Sequence, residues 1–502
     1  MNKGTAKKIM IAGIIIAILS IIVGWFAFPA LVSMKISKSV ALRKPNDMRQ
    51  MWSKSPIAID FKVYMFNVTN PEEAAKGEIP TVTEVGPYYY HEWKEKVNLE
   101  DHPEEDTVSF RMKNTFFFNK TISAPLTGDE MITIPHAAML SMVYTVEREK
   151  PGALNLLAKG IKFLFNNPTT PFLTAKARDI LFDGVPINCT SKDFATAAIC
   201  TMIRANPSGL KPVGDDIFLF SFFGMKNATP DATKLEVKRG VTDPQEVGLV
   251  VKVNDKEKMT TWSGDPCNTP TGTDSTIFPP FLEQSNDIVA FSTDLCLSIG
   301  AKFEKEVVFK GIPGNRYTAT LGDMSSDPEM QCYCPAPDKC LKKGIIDLTK
   351  CAGAPIAASL PHLYETHEDY QKMVKGLHPD VDKHGINMIF EPMTATPVSA
   401  RKRLQFNIFT HPVAKIAVMK TFCTALIPIF WIEEGVDLPD DFVNLLETQL
   451  FRTLRIAAVG RWIGVGLGCL LALGGLAVYI LQRQSVTITP SPTKVQEMNG
   501  RH

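Results

Sequence analysis

The sequence predicts an α+β membrane protein, in which one large and mainly β ectodomain lies between two terminal membrane spans. Three observations support this fold class. Each end of the chain has a long apolar segment without charge, the region between them often alternates apolar and polar residues, and residues 147–205 change to helical spacing. The 54 basic and 53 acidic side chains of the 502 residues leave a net charge of +1, which excludes nucleic-acid binding through a broadly basic face.

The two apolar segments are residues 9–32 and 462–482. At about 1.5 Å per residue, the second alone spans roughly 32 Å as a helix, enough to cross a hydrocarbon core of about 30 Å. A buried core helix is the alternative for both segments, and a cleaved signal peptide is a further one for the first. Pro29 stands where cleavage would fall, and the apolar run is too long for a signal peptide, so we interpret the first segment as a signal anchor.

Two terminal spans place both ends of the chain on one side of the membrane. Lys3, Lys7 and Lys8 favour a cytoplasmic N-terminus. We therefore predict a cytoplasmic N-tail (1–8), an ectodomain (33–461) and a cytoplasmic C-tail (483–502). The small residues Gly464 and Gly468 form a face of the second span that could contact either the first span or a partner.

The region between the spans has features of a chain folded in an oxidising, glycosylating compartment. Six cysteines fall between residues 267 and 351, which is typical of disulfides outside the cytosol. Four thiols within residues 332–351 also allow a zinc site, but the paired C-x2-C arms of zinc knuckles are absent, which favours disulfides. Four N-glycosylation sequons occur here and none in the tails: Asn67, Asn119, Asn188 and Asn227.

Strands are predicted wherever apolar residues recur with a period of two. This pattern occurs at Ile59–Met65, at Leu404–Ile408 and around Val307–Phe309. Glycine and proline at 86–87, at 313–314 and at 435 predict turns between such strands.

Helices are predicted within residues 147–205. Leu154, Leu157, Ile161 and Leu164 share one helical face, so a first helix follows Pro151. A second is expected from Thr170-Pro171 through Ile180 and Leu181, because proline is favoured at the first helical position. A third, capped by Ser191, runs through Phe194, Ala198 and Met202. One more helix is expected to lead from Asp440 into the second span.

Several runs of residues resemble the class B scavenger receptor family, and within it the insect sensory neuron membrane proteins. The family resemblance is carried nearly end to end by seven stretches: Val63–Val97, Gly272–Phe281, Phe291–Cys296, Ser359–His362, Gly376–Asp380, Lys402–Ile408 and Ile427–Glu433. The resemblance to the sensory branch is carried by Glu92–Lys96 with the acidic stretch that follows, and by Pro125–Glu130.

The resemblance implies a large antiparallel β-barrel, a three-helix bundle at its membrane-distal apex and a hydrophobic tunnel through the barrel. It also implies three disulfide pairs, which spacing alone cannot assign: Cys267–Cys332, Cys296–Cys351 and Cys334–Cys340. Cys189 and Cys200 lie outside this set, and we expect them to form a fourth bridge across the helical insert.

No catalytic, metal or cofactor motif is recognisable, so we do not expect an enzyme. The resemblance implies a plasma-membrane receptor that binds lipids or fatty-acid-derived pheromones and passes them to the membrane or to odorant receptors, with odorant-binding proteins as further partners. A purely endocytic or adhesive scavenger receptor and a two-span ion channel are the alternatives. Four basic residues of the helical insert are candidates for ligand capture: Lys159, Lys162, Lys176 and Arg178.

Overall fold

The computed structural model describes residues 3–485, apart from residue 208 and residues 337–338. The predicted C-tail therefore lies largely outside the described residues. The chain divides into two compact units. The first consists of the two chain ends, up to Ser37 and from Pro439, and the second of residues Lys38–Leu438.

The longer helices are α1 (Lys3–Ile22), α2 (Phe28–Val40), α3 (Asp47–Ser53), α4 (Ala137–Glu149), α5 (Leu154–Leu164), α6 (Phe194–Ala205), α7 (Asp440–Leu446) and α8 (Arg452–Ser485).

The strands belong to the second unit. They are β1 (Ile59–Val68), β2 (Val82–His102), β3 (Thr107–Phe118), β4 (Met131–Pro135), β5 (Phe172–Lys176), β6 (Val185–Asn188), β7 (Leu210–Val213), β8 (Ile217–Phe220), β9 (Pro230–Lys238), β10 (Val250–Val253), β11 (Ile288–Ser292), β12 (Leu297–Phe309), β13 (Ile312–Ala319), β14 (Ile346–Asp347), β15 (Ala357–Ser359), β16 (Ile386–Glu391), β17 (Thr396–Thr410) and β18 (Ala425–Asp437).

Two helical stretches near the chain ends, Gly4–Val40 and Asp440–Arg483, are long and apolar enough to cross a membrane. A π turn at Val23–Ala27 joins α1 to α2, and another at Glu447–Phe451 joins α7 to α8. Where the stretches meet, both carry small residues: a Cβ on Gly468 would lie 2.5 Å from the backbone nitrogen of Ala17. The small-residue face of the second span therefore contacts the first span.

An antiparallel sheet dominates the second unit. Its main path runs β10-β9-β3-β2-β1-β18-β17-β16-β13-β12-β11, so β10 and β11 are the edge strands. Residues 272–273 lie between these edges. The N–H of Val250 donates to the Gly272 carbonyl (2.9 Å), and the N–H of Phe291 donates to the Thr273 carbonyl (2.8 Å). These bonds join the two edges into a nearly closed barrel, which removes the unpaired edges of an open sheet.

The two faces of this barrel are distinguished by exposure along β2 and β3. Trp93 and Phe117 are 40% and 57% exposed, so their face is the outer one. Because side chains alternate along a strand, Glu92 and Phe116 point inward, and they lie directly opposite each other in the β2–β3 register.

The predicted strands are present, but the three predicted turns are wrong. Gly86-Pro87 lies within β2, Pro313-Gly314 within β13 and Gly435 within β18. Two of these glycines permit close packing rather than chain reversal. A Cβ on Gly86 would lie 2.7 Å from the ring of Tyr64, and one on Gly314 would lie 2.7 Å from the Ile389 side chain.

The helical region contains three longer helices, α4, α5 and α6, but differs in detail from the prediction. It begins at Ala137, before residue 147. The helix expected from Thr170-Pro171 is wrong: Phe172–Lys176 forms β5, paired with β4, and a π turn follows at Asp179–Asp183. Strand pairing outweighs local helix propensity here. Asp193, not Ser191, caps α6, because its carboxylate accepts from the N–H groups of Ala195 and Thr196.

Four disulfides are present among the described residues: Cys189–Cys200, Cys267–Cys332, Cys296–Cys351 and Cys334–Cys340. They are the pairs that the resemblance implies, together with the bridge expected across the helical insert. The thiols of residues 332–351 are consumed by these bonds, which leaves no zinc site there. The bridge at Cys189 ties the strand end at Asn188 to α6, with the two Cα atoms 5.7 Å apart.

We predict that Gly272→Ala destabilises the barrel. Gly272 has a φ of +77°, and an added Cβ would collide with the Val289 carbonyl. We expect the free energy of unfolding to fall by about 2–4 kcal/mol, measured by thermal unfolding of the full chain in detergent. Gly353→Ala is the matched control, because Gly353 also has positive φ (+68°) but meets no atom within 4 Å. Equal losses for both variants would refute a role for Gly272 in closure.

We predict that Gly468→Leu separates the two spans, because the side chain would enter the backbone of α1 near Ala17. The measurement is the yield of disulfide between cysteines introduced at Ser20 and Gly464, which are in contact. We expect the yield to fall steeply. Gly466→Leu is the matched control, because a Cβ added to Gly466 would meet no atom within 4 Å. This variant should leave the disulfide yield unchanged. An undiminished yield in Gly468→Leu would contradict the packing described.

Candidate functional site

Aromatic rings cover part of the inner face of the barrel. We call Phe61, Tyr90, Phe116, Phe182, Phe223 and Phe430 the inner aromatic cluster. Phe61 and Phe116 have ring centroids 4.8 Å apart, and Phe182 lies 4.6 Å from Tyr90. Phe182 belongs to the π turn beside the helical region, and the N–H of Phe223 donates to the Leu181 carbonyl (2.8 Å). The cluster therefore joins the strands to the segments that follow α5 and α6.

Several inward apolar side chains are only partly buried. Phe116, Phe406 and Ile432 keep solvent-accessible area although they face the inside of the sheet. Phe406 and Ile432 pack against both of the large buried clusters of the second unit. Side chains in a fully packed interior leave no such area. Inward-facing apolar surface is therefore accessible at these three side chains.

Beside these rings the inner face carries charge. We call six side chains the inner charge cluster: Glu92, Lys94, Lys226, Asp294, Lys402 and Glu434. The register places Glu92 opposite Phe116 and Glu434 opposite Phe61, so the two clusters are adjacent.

Ion pairs form two groups within the inner charge cluster. The Nζ of Lys94 lies 3.1 Å from Glu434 and 3.4 Å from Glu92. Lys402 lies 3.5 Å from Glu434, and Lys226 lies 2.9 Å from Asp294. All six charges therefore have an opposite charge within reach, as charges removed from bulk water require.

Burial and neighbouring charges shift the pKa values of three groups in the inner charge cluster. Burial raises the pKa of Glu92 to about 7, although Lys94 acts in the opposite direction. Burial alone would lower the pKa of Lys94, but the Glu434 and Glu92 carboxylates outweigh it and raise that pKa. The Lys226 ammonium lowers the pKa of Asp294, against the effect of burial. The pKa shifts of Lys94 and Asp294 favour their charged forms, whereas that of Glu92 favours its protonated form.

Two members of the inner charge cluster, Lys226 and Asp294, are partly exposed to solvent. The side chains of Lys226 and Asp294 are 60% and 49% exposed, yet surrounding protein still desolvates both charges. The charges of Lys402 and Lys94, which point inward, also lower the pKa of Asp294. Lys226 and Asp294 are therefore accessible to solvent and also close to other protein groups. The inner face is thus amphipathic, with rings on one part and charges on the other.

The predicted capture residues lie elsewhere and are not brought together as one group. Lys159 and Lys162 are exposed on α5, where Lys162 lies 4.5 Å from the Phe163 ring. Lys176 and Arg178 both pair with Asp129, at 2.9 and 3.3 Å.

The side-chain oxygens of all four sequon asparagines accept hydrogen bonds from backbone N–H groups. Asn67 accepts from the N–H of Thr133, and Asn227 from that of Phe116. Asn119 and Asn188 accept from backbone groups two residues later. None of the four side chains belongs to the inner clusters.

A cavity of about 450 Å³ also opens beside the β12–β13 hairpin, lined in part by Leu282, Val308 and Pro313. Val308 is 73% exposed. This cavity is therefore an external groove rather than part of the inner face.

The inner charge cluster was not predicted from the sequence. A signal existed in the run Glu92–Lys96, where charged residues occupy alternate positions on one side of a strand. The period of two shows that Glu92 and Lys94 share a face, but it does not show that this face is the inner one. That assignment needs closure of the barrel.

We predict that Glu92→Gln alters the pH dependence of stability. The folded pKa lies above the ordinary glutamate value, so the stability present at low pH is lost as the pH rises through about 7. The melting temperature of Glu92→Gln relative to the unmodified chain should therefore rise from about pH 5 to about pH 7.5. Glu95→Gln is the control, because Glu95 pairs with Lys113 on the outer face. A constant difference would show that Glu92 titrates normally.

Comparison with known proteins agrees with this architecture. The CD36 family matches residues 11–479. Sensory neuron membrane protein 1 of Apis mellifera is 46% identical, covering 98% of this chain and 94% of that protein. The proteins of the same name from Manduca sexta (44%; 98% and 95%) and Pediculus humanus subsp. corporis (43%; 97% and 94%) are similar over the same extent. The chain therefore belongs to the CD36 family of class B scavenger receptors and is a two-pass membrane receptor of that family.

Proposed function

We propose that this receptor binds long-chain hydrophobic molecules inside the barrel and delivers them to the membrane or to odorant receptors of olfactory neurons. The observation that carries the proposal is the solvent-accessible area of inward apolar side chains, above all Phe116, Phe406 and Ile432. An enclosed apolar surface is the environment that an alkyl chain needs outside a bilayer.

The free energies involved support a carrier role. An alkyl chain of about 12 to 18 carbons loses on the order of 10 kcal/mol when it moves from apolar surroundings into water. Unaided transfer through water is slow for such a molecule. A barrel with an apolar interior, tied to the membrane by both ends of the chain, offers a sheltered path, and the affinity of the membrane for the ligand drives the transfer without catalysis.

The sensory context is inferred from the relatives, whose name places them in the membrane of sensory neurons. Fatty-acid-derived pheromones are the ligands that suit this setting, and the plasma membrane of a neuronal dendrite, with both termini cytoplasmic, is the location we propose. Lys159 and Lys162 are the exposed basic residues through which a ligand or an acidic odorant-binding protein would first make contact.

We predict that Ala400→Trp abolishes uptake of a fluorescent long-chain fatty acid by cells expressing the receptor. Ala400 is small, points inward and is partly exposed opposite Met388 and Val436. An indole at this position fills the inner space. Uptake should fall to the level of cells without the receptor, with surface expression measured in parallel.

Thr115→Trp is the matched control, because Thr115 lies opposite Trp93 on the outer face of the same sheet. Its uptake should remain normal. Normal uptake by a surface-expressed Ala400→Trp would instead indicate an adhesive or endocytic receptor that binds through its outer surface.

A further inference from the structure

One arginine, Arg461, packs against the apolar part of the first span. A Cβ on Gly24 would lie 2.6 Å from the Cβ of Arg461, and the guanidinium carbon of Arg461 lies 4.6 Å from the centroid of the Trp25 ring. Gly24 and Trp25 both belong to the charge-free segment 9–32. A permanent positive charge therefore lies beside a stretch of chain that is otherwise without charge.

The depth of this charge follows from the length of the first span. A hydrocarbon core of about 30 Å takes roughly 20 helical residues, so a core that begins after Lys8 ends near residue 28. Trp25, and Arg461 beside it, then lie about one helical turn inside the boundary on the ectodomain side. Ionisable residues at such depth are costly, and in membrane proteins they commonly mark functional sites.

The chain supplies no carboxylate to Arg461. The sequence has no Asp or Glu between residues 1 and 46 or between residues 448 and 482. Glu447, the nearest acidic residue before Arg461, is ion-paired with Arg455. Among the described residues, none forms a hydrogen bond or an ion pair with the Arg461 guanidinium. Only the face of the Trp25 ring therefore interacts with this charge, as a cation–π contact.

Donors at this level of the spans are accessible from outside the chain. Arg461 is partly exposed, and Nε is its only nitrogen that is buried without a partner, so its two terminal nitrogens are open. Trp25 and Trp462 have ring centroids 5.2 Å apart and are 36% and 62% exposed. Neither indole N–H donates to a described residue. Tryptophans are enriched at the headgroup level of a bilayer, where their N–H groups meet polar atoms.

The backbone of the first span accommodates this arrangement. Any side chain at position 24 would collide with Arg461, so glycine allows the arginine to lie against the span. Gly24 and Trp25 also belong to the π turn Val23–Ala27. Single π turns within α-helices are rare and occur frequently at functional sites.

We infer that Arg461, Trp25 and Trp462 bind the phosphate group of a membrane phospholipid in the leaflet on the ectodomain side. A planar guanidinium binds two oxygens of a phosphate at once, and the phosphate supplies the negative charge that the spans lack. The indole N–H groups donate to oxygens of the same lipid headgroup. The site uses no residue of the barrel interior, so this inference is independent of the proposed function.

The test measures binding of dioleoylphosphatidylglycerol to the full chain in detergent, with native mass spectrometry to count bound lipids. Dioleoylglycerol, which has the same acyl chains without the phosphate, is the comparison ligand. Arg461→Gln should weaken phosphatidylglycerol binding about tenfold or more, the loss expected for a charge-assisted hydrogen bond, and leave dioleoylglycerol binding unchanged. Arg455→Gln is the matched control, because Arg455 lies on the same helix but is paired with Glu447. It should change the binding of neither lipid.

A second variant covers the case that Arg461→Gln disturbs the spans, which the disulfide yield between cysteines at Ser20 and Gly464 reports. Arg461→Lys keeps the charge but loses the planar fork, so phosphatidylglycerol affinity should fall severalfold. Unchanged binding in both variants overturns the site. An equal loss in Arg455→Gln also overturns it, because the effect would then be one of general charge. If oleate displaces phosphatidylglycerol from the unmodified chain at equal concentration, the assignment to phosphate is wrong.

Discussion

Closure of the sheet is the constraint on which the rest of the structure depends. Only when residues 272–273 join β10 to β11 does the main sheet acquire an inside, and only then are Glu92 and Phe116 enclosed rather than solvent-facing. The seam is itself held by a buried group. The Asp274 carboxylate accepts from the Trp52 indole (2.9 Å) and from the N–H groups of Thr276 and Ile277, and Lys96 lies 3.5 Å from it. Closure thus depends on contacts between segments far apart in the sequence.

The inside created by this closure has two different surfaces. Aromatic rings, which have large apolar area and few rotatable bonds, form one of them. The inner charge cluster forms the other surface, where neither Glu92 carboxylate oxygen has a hydrogen-bond partner among the described residues. The inner face therefore combines an apolar surface with a charged one.

The sequence predicted the two spans, the strands with clear alternation and the location of helices, because these depend on local periodicity. It misread Gly86-Pro87 and Pro313-Gly314 as turns, since the contacts with Tyr64 and Ile389 that require glycine come from distant residues. It misread 170–181 as helical for the same reason, because β4 supplies the pairing. The barrel came from resemblance, and the inner charge cluster was missed, since alternation defines faces without stating which one is enclosed.

The central claim is that an alkyl chain lies inside the barrel. It is tested most directly by crystallising the full chain with a terminally brominated long-chain fatty acid and locating the bromine by anomalous scattering. The account predicts a single strong peak on the inner face, near Phe406 and Ile432. A peak confined to the outer surface, or an interior filled by side chains with no bromine, would contradict it.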